Sequence, residues 1–190
     1  LEGDAKFDRV NTTLSDTTGL LVNQSVKAKL TLPESLSFSG YYEFSPQWAV
    51  MADITWTNWS RFDRLTLNFD GGQPQQVQPQ NWEDSFRYAL GVMYTPSAPW
   101  TLRTGVAYDE TPIPNAEDRI PRIPGNDRFW IAVGASYQPT HKLSFDVGYA
   151  HLFIEDVDIN NTEVSTGHVL TGSYELNANI FSAQLTYHFK

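Results

Sequence analysis

Hydrophobic and polar residues alternate along most of this chain with a period of two. The C-terminal stretch is the clearest case, since Phe181, Leu185 and Phe189 fall on one side of the alternation and Ser182 and Gln184 on the other. A period of two is typical of β-strands, whereas an amphipathic helix repeats every 3.6 residues or so. The alternation predicts eight strands, at residues 1–10, 25–44, 48–69, 82–95, 100–110, 127–138, 142–155 and 171–189.

The connections between these strands are of two kinds, which alternate along the chain. The short ones contain Pro, which fixes φ and removes a backbone donor, and the long ones are polar. The short connections are residues 45–47, 96–99 and 139–141, and the long ones are 11–24, 70–81, 110–126 and 156–170. Short turns at one end and long loops at the other indicate an all-β fold, an antiparallel up-and-down transmembrane β-barrel. Soluble sandwiches mix their loop lengths less regularly.

The two faces of the predicted strands differ in the size of their side chains. One face carries large apolar residues, and the other carries small ones such as Gly91 and Gly105 with a few Arg, Asp and Ser. In a soluble sandwich the second face would be rich in Lys, Glu and Thr. Aromatic residues beside the short turns predict an interfacial girdle, although aromatic packing at the ends of a sandwich core is the alternative. The predicted girdle comprises Tyr41, Tyr42, Phe44, Trp48, Tyr94, Trp100, Tyr137, Tyr187 and Phe189.

Composition narrows the class of protein further. The chain has 190 residues, 14% of them aromatic and 18% charged, no cysteine and a net charge of −9. Abundant aromatic residues argue against disorder, and no apolar run approaches the roughly 18 residues of a spanning helix. Without cysteine there is no disulfide scaffold and no cysteine metal site. The acidic balance argues against nucleic-acid binding, and the acids concentrate in the long loops.

The sequence carries no catalytic motif. It has no Gly-x-Ser-x-Gly turn, no His-Glu-x-x-His and no phosphate-binding loop. Its four histidines are scattered without the spacing of metal ligands, and a solvated surface is the favoured interpretation of the acids at 155–158. We therefore expect a protein that is not an enzyme and that needs no cofactor and no metal.

Arg87 and Arg103 are the candidate ligand-binding residues, because both lie on the small-residue face of neighbouring predicted strands. A guanidinium there can bind a carboxylate through two hydrogen bonds. Mostly apolar walls with a few polar groups suit a hydrophobic ligand. The apolar part of such a ligand is predicted to lie against Met93, Ala107, Trp130 and Ala132.

A competing interpretation gives both arginines a structural role. Barrel interiors commonly hold networks of charged residues, so the arginines would pair with interior acids. The candidate acids are Asp53, Asp109 and Asp146.

The loop at 110–126 combines Ile with Pro-rich sequence, at 111–114 and again at 120–124. Two interpretations are open. An exposed Ile beside an Arg would make a first contact with amphipathic ligands. Alternatively, the loop is a stiff segment folded over the mouth of the barrel.

Several stretches resemble one family. They are residues 32–35 (LPES), 118–130 (DRIPRIPGNDRFW), 148–153 (GYAHLF) and 172–174 (GSY). Together with the strand spacing, which runs over nearly the whole chain, they resemble the FadL family of outer-membrane transporters of hydrophobic compounds.

The resemblance implies a fourteen-stranded barrel plugged by an N-terminal hatch. Residues 1–190 would be its C-terminal portion, strands seven to fourteen, without the hatch and the first strands. The implied ligand is a long-chain fatty acid or an aromatic hydrocarbon, which binds inside the barrel and crosses by passive diffusion. The implied location is the bacterial outer membrane, in contact with its lipid and lipopolysaccharide, as a monomer when full length. A start at Leu1, without methionine, predicts a processed or truncated product.

Two further classes stay open at this point. One is a structural or adhesive small barrel with a filled interior and no ligand, and the other is a soluble β-sandwich that acts as a binding module. Pairing between residues 1–10 and 171–189 would indicate an independent eight-stranded closure. Unpaired edges would indicate part of a larger barrel, because unsatisfied backbone groups are costly in lipid.

Overall fold

The structure, a computed structural model, describes residues 2–7, 24–70, 75–162 and 167–189. Residues 8–23, predicted as the end of the first strand and a loop, lie outside the described residues. The described chain is β-structure apart from irregular connections and one 3-10 turn, Trp59–Arg61. Among the described residues, no helix is long and apolar enough to cross a membrane. The strands are β1 (Glu2–Phe7), β2 (Gln24–Lys29), β3 (Ser35–Ser45), β4 (Trp48–Thr57), β5 (Arg64–Phe69), β6 (Gln76–Pro79), β7 (Ser85–Ser97), β8 (Trp100–Asp109), β9 (Arg128–Thr140), β10 (Leu143–Ile154), β11 (Val157–Thr162), β12 (Val169–Tyr174) and β13 (Asn177–Tyr187).

Seven long strands form the main sheet, in the order β13-β10-β9-β8-β7-β4-β3. Every neighbouring pair is antiparallel. Tight turns join β3 to β4, β7 to β8 and β9 to β10, all at one end of the sheet. The long connections leave the opposite end, which confirms the predicted up-and-down arrangement.

The outward face of this sheet is apolar and exposed. Phe38 and Phe181 keep 82% and 79% of their surface accessible, which suits contact with lipid rather than water. Beside the tight turns, the ring centroids of Trp48 and Tyr94 lie 4.2 Å apart. The prediction for Tyr41 was wrong: it pairs with Met51 on the inner face, because alternation along β3 turns it away from its neighbour Tyr42.

The predicted single strands at 25–44 and 48–69 are each broken in two. Pro33 removes a backbone donor between β2 and β3, and the 3-10 turn separates β4 from β5. The two breaks face each other, since the backbone N–H of Asn58 donates to the carbonyl oxygen of Glu34 at 2.9 Å. Glu34 also forms an ion pair with Arg61.

The strands beyond these breaks form smaller sheets at the long-loop end. β2 and β5 join β1 and β6 in a four-stranded sheet of order β1-β2-β5-β6. β11 lies in the region predicted as a polar loop at 156–170 and pairs with β12. β12 overlaps the start of the predicted single strand at 171–189, which is therefore also broken in two, into β12 and β13. The long connections therefore carry their own β-structure, which alternation in the membrane strands could not indicate.

β3 and β13 are the two edges of the seven-stranded sheet. β1, from the first of the eight predicted strands, pairs with β2 in the smaller sheet instead of with β13. Among the described strands the main sheet is thus open, with no eight-stranded closure. Open edges are costly in lipid, so both edges need partners beyond these strands.

Candidate ligand-binding site

The small residues predicted on one face are brought into register across the main sheet. Gly91 of β7 lies opposite Gly105 of β8, and Gly105 lies opposite Ala132 of β9. One row toward the long loops, Ala107 lies between Ala89 and Trp130. Apart from Trp130, the side chains of these two adjacent rows are small, and they leave space above the sheet that larger residues would fill.

This space is a concavity of about 570 Å³ on the inner face, within the size range of small-molecule sites. Four of the six residues predicted for the site line it: Arg87, Ala107, Trp130 and Ala132. The other lining residues are Ser39, Gly40, Tyr41, Met51, Ala52, Asp53, Ala89, Leu90, Gly91, Gly105 and Val106. The sequence signals for Tyr41 and Met51 were their positions in the alternation, which place both on the Asp53 face of β3 and β4.

Arg87 presents an open guanidinium to this concavity. Its guanidinium carbon lies 5.4 Å from the centroid of the Trp130 ring, a cation–π distance. Among the described residues, no carboxylate lies within 4 Å of Arg87. The nearby acid, Asp53, accepts hydrogen bonds from the hydroxyls of Ser39 at 2.6 Å and Thr55 at 3.0 Å. The hydrogen-bond donors of Arg87 are therefore available to an anion.

Arg103 has a different environment, three rows closer to the tight turns than Arg87. It lies opposite Met93 and donates a hydrogen bond to the hydroxyl of Ser136. Ser136 in turn donates to the carboxylate of Asp146. Arg103 therefore has the structural role of the competing interpretation, because Ser136 connects it to the interior acid Asp146.

Two further observations concern Asp109 and Trp130, which lie near Arg87. Asp109, the third acid proposed as a partner, lies opposite Arg87 in the register but is closer to Arg128, at 3.6 Å. The indole Nε1 of Trp130 is buried without a hydrogen-bond partner among the described residues. Trp130 therefore contributes the face of its ring to the site rather than its polar atom.

The arrangement suits the binding of a ligand. Among the residues that the structure describes, no cluster of His, Asp and Glu could hold a metal ion. A carboxylate next to Arg87 would gain charge-assisted hydrogen bonds, and an apolar chain could lie along the small residues.

Comparison with known proteins gives a family match along the chain. Residues 1–189 match the sequence model described as "Outer membrane protein transport protein (OMPP1/FadL/TodX)". The chain is 36% identical, over 154 residues, to a protein of Salmonella typhi named "Long-chain fatty acid transport protein". That match covers 81% of this chain and 35% of the relative, so the chain spans about a third of that relative's length.

Solved structures show the same fold. A FadL homologue of Pseudomonas aeruginosa superposes with a TM-score of 0.82 at 32% identity, over 91% of this chain and 41% of the other. The toluene transporter TodX of P. putida superposes over 100% of this chain and 42% of its own, with a TM-score of 0.66. At 18% identity, that second likeness speaks for the fold alone.

Proposed function

We propose, since this chain belongs to the FadL/TodX family of outer-membrane transport proteins, that the complete protein transports hydrophobic small molecules by passive diffusion. Long-chain fatty acids are the substrate that we propose first. Residues 1–190 are the C-terminal portion of its barrel in this proposal, and the N-terminal hatch and first strands lie outside the chain.

The open guanidinium of Arg87 at the edge of an apolar concavity is the observation that carries this proposal. A fatty acid has one carboxylate and a long apolar chain, so it complements both parts of the site. In the proposed complex, Arg87 binds the carboxylate, and Ala107, Trp130 and Ala132 contact the chain. Met93 and Arg103 lie one row nearer the tight turns than Gly91 and Gly105, and they form the border of the site on that side.

The substrate class has a second candidate, an aromatic hydrocarbon. Tyr41 and Trp130 line the concavity and would offer aromatic faces to such a ligand. A hydrocarbon, however, has no anionic group that could pair with Arg87. We place fatty acids first because their carboxylate can. A filled structural barrel, the other alternative, does not account for an open concavity beside a cation with no carboxylate within 4 Å in the described part of the chain.

The outward face of the main sheet supports a proposal about what surrounds the complete protein. Its exposed aromatic and aliphatic residues suit contact with outer-membrane lipid, and with lipopolysaccharide at the long-loop end. We propose that the complete protein is a monomer and binds no nucleic acid.

A binding titration of the complete protein in detergent tests the site. The probe is oleate, and the variants are Arg87→Gln and the matched Arg103→Gln. We expect Arg87→Gln to weaken oleate binding about tenfold, because it removes charge-assisted hydrogen bonds. Arg103→Gln should change the affinity much less, since Arg103 already bonds to Ser136. Equal affinities for wild type and Arg87→Gln would contradict the proposed site.

A further inference from the structure

Asp109 of β8 lies opposite two arginines at once. The register places Arg87 of β7 on one side of it and Arg128 of β9 on the other, so the three side chains share the inner face. Residues directly opposite each other on antiparallel strands have Cβ atoms about 4.5–5.5 Å apart. Both guanidinium groups can therefore reach the carboxylate of Asp109, and the two arginines compete for one acid.

Arg128 is the arginine that pairs with this acid. Its Nε lies 3.6 Å from Oδ2 of Asp109, whereas no carboxylate of the described residues lies within 4 Å of Arg87. Water reaches the pair only in part, since the Asp109 side chain is 23% exposed and that of Arg128 36%. Salt screens such a pair less than one on the open surface. Arg128 thus neutralises the carboxylate that lies opposite Arg87.

The strand that supplies Arg128 also draws Arg87 away from Asp109. Trp130 comes two residues after Arg128 on β9, so it lies on the same face, one row closer to the tight turns. The guanidinium carbon of Arg87 is 5.4 Å from the centroid of the Trp130 ring. β8 runs between β7 and β9, and the small side chain of Ala107, opposite Trp130, leaves room for Arg87 and Trp130 to meet above it.

Asp53, the other acid near Arg87, is engaged in a different way. Its two carboxylate oxygens accept hydrogen bonds from the hydroxyls of Ser39, at 2.6 Å, and Thr55, at 3.0 Å. Neutral donors satisfy the oxygens and leave the charge of Asp53 in place. At Asp109, by contrast, a cation cancels the charge, so the balance of charge beside Arg87 depends on Arg128.

We propose that Arg128 is a positioning residue of the inner site: it pairs with Asp109, keeps this carboxylate from binding Arg87, and so leaves Arg87 to the carboxylate of the ligand. Without Arg128, Asp109 would be an unpaired acid opposite Arg87, and an ion pair between the two would compete with the ligand. Arg128 acts through Asp109 and does not contact the ligand. The inference rests on the proposed transport function, because it requires an anionic ligand at Arg87.

A double-mutant cycle in the complete protein, purified in detergent, tests this inference. The probes are oleate and, as its uncharged counterpart, oleyl alcohol. We expect Arg128→Met to weaken oleate binding about fivefold and to leave the binding of oleyl alcohol unchanged, since only a carboxylate competes with Asp109 for Arg87. Arg128→Lys keeps a cation beside Asp109 and should bind oleate almost as tightly as wild type.

Asp109→Asn separates positioning from direct contact. Added to Arg128→Met, it should restore the oleate affinity to within about twofold of wild type, because it removes the competing charge. Alone, it should change the affinity less than about twofold, because Arg128 already neutralises Asp109. An Arg128 that bound the ligand directly, or that only stabilised the fold, would not be compensated by Asp109→Asn. Equal effects of Asp109→Asn with and without Arg128 would overturn the positioning role.

Arg61→Met is the matched control. Arg61 pairs with Glu34 at the strand breaks, and neither residue lines the concavity, so the same substitution removes an ion pair without freeing an acid opposite Arg87. We expect this variant to bind oleate as wild type does. Gel mobility of unheated samples shows whether each variant is folded. If Arg128→Met does not fold, Arg128→Gln takes its place with the same expected results.

The outcomes also distinguish this inference from the transport proposal. If wild type binds oleate, Arg87→Gln weakens that binding and Arg128→Met does not, the positioning role is wrong and the inner site stands. If wild type binds no oleate, or Arg87→Gln binds it as tightly as wild type, the proposed site fails, and the positioning role fails with it.

Discussion

Two arginines on the inner face, Arg87 and Arg103, differ in what they bond. Alternation places both on the same face, and the sequence alone left open whether each binds a ligand or an interior acid. The deciding partner of Arg103 is Ser136, on the next strand, which connects it to Asp146. Such a contact depends on the register between strands, and alternation within one strand carries no information about register.

Asp84, outside the membrane strands, gives a prediction about pH. Its carboxylate accepts from the backbone N–H of Ser60 at 3.1 Å and from the indole of Trp56 at 3.2 Å. These bonds, the one from the Ser60 backbone foremost, hold the pKa of Asp84 below its ordinary value of 3.8. A carboxyl whose pKa is lower in the folded state stabilises the fold above its ordinary pKa, and loses that contribution as the pH falls through the folded value.

We therefore expect Asp84→Asn to be less stable than wild type at about pH 6, and the difference to shrink as the pH falls below 3.8 and through the folded-state pKa of Asp84. Urea unfolding in lipid vesicles, at about pH 6 and at a pH below 3.8, measures it. A difference of the same size at both values would show that the charge of Asp84 contributes nothing.

At the scale of the elements, the sequence predicted the membrane strands well and the external ones poorly. Strands such as β7 and β9 have one face in lipid and one inside, so their alternation is long and regular. β6, β11 and β12 have only four to six residues each, in polar sequence. Too few positions alternate there, and β11 is ordered by its pairing with β12 and by its contact with the β8–β9 loop.

Close approach between β7 and β8 gives a prediction at this scale. A Cβ on Gly105 would lie 3.1 Å from the carbonyl oxygen of Leu90 and 3.6 Å from the Cα of Gly91, both backbone atoms. Gly40 of β3 would meet nothing within 4 Å, so it serves as the matched control. We expect Gly105→Ala to destabilise the protein by about 1 kcal/mol or more relative to Gly40→Ala.

Urea titration of the two variants measures the difference. Unfolding is detected as a change in the gel mobility of unheated samples. Equal midpoints for Gly105→Ala and Gly40→Ala would mean that the two strands can separate without cost. In that event Gly105 would not be what allows β7 and β8 to lie close together beneath the concavity.

At the scale of the whole molecule, an apolar exterior and a partly polar interior explain how a membrane protein can have a mean hydropathy of −0.38. Each membrane strand places about half of its residues in lipid, and most of the charged residues lie inside or in the long loops. Among the described strands, β3 and β13 are open edges of the main sheet, which is what we expect of one part of a larger barrel wall. The inner site lies on β3, β4, β7, β8 and β9, so it reaches the β3 edge of that sheet and is far from the β13 edge.

The most direct test of the central claim is photolabelling of the complete protein with an oleate analogue that carries a diazirine on its chain. The inner site predicts labels on β7, β8 and β9, near Gly91, Ala107 and Ala132, which an excess of oleate prevents. Gly91→Leu should reduce these labels, because its side chain projects into the concavity beside Met51. Labels confined to the long loops, or labels that an excess of oleate does not reduce, would contradict binding at the inner face.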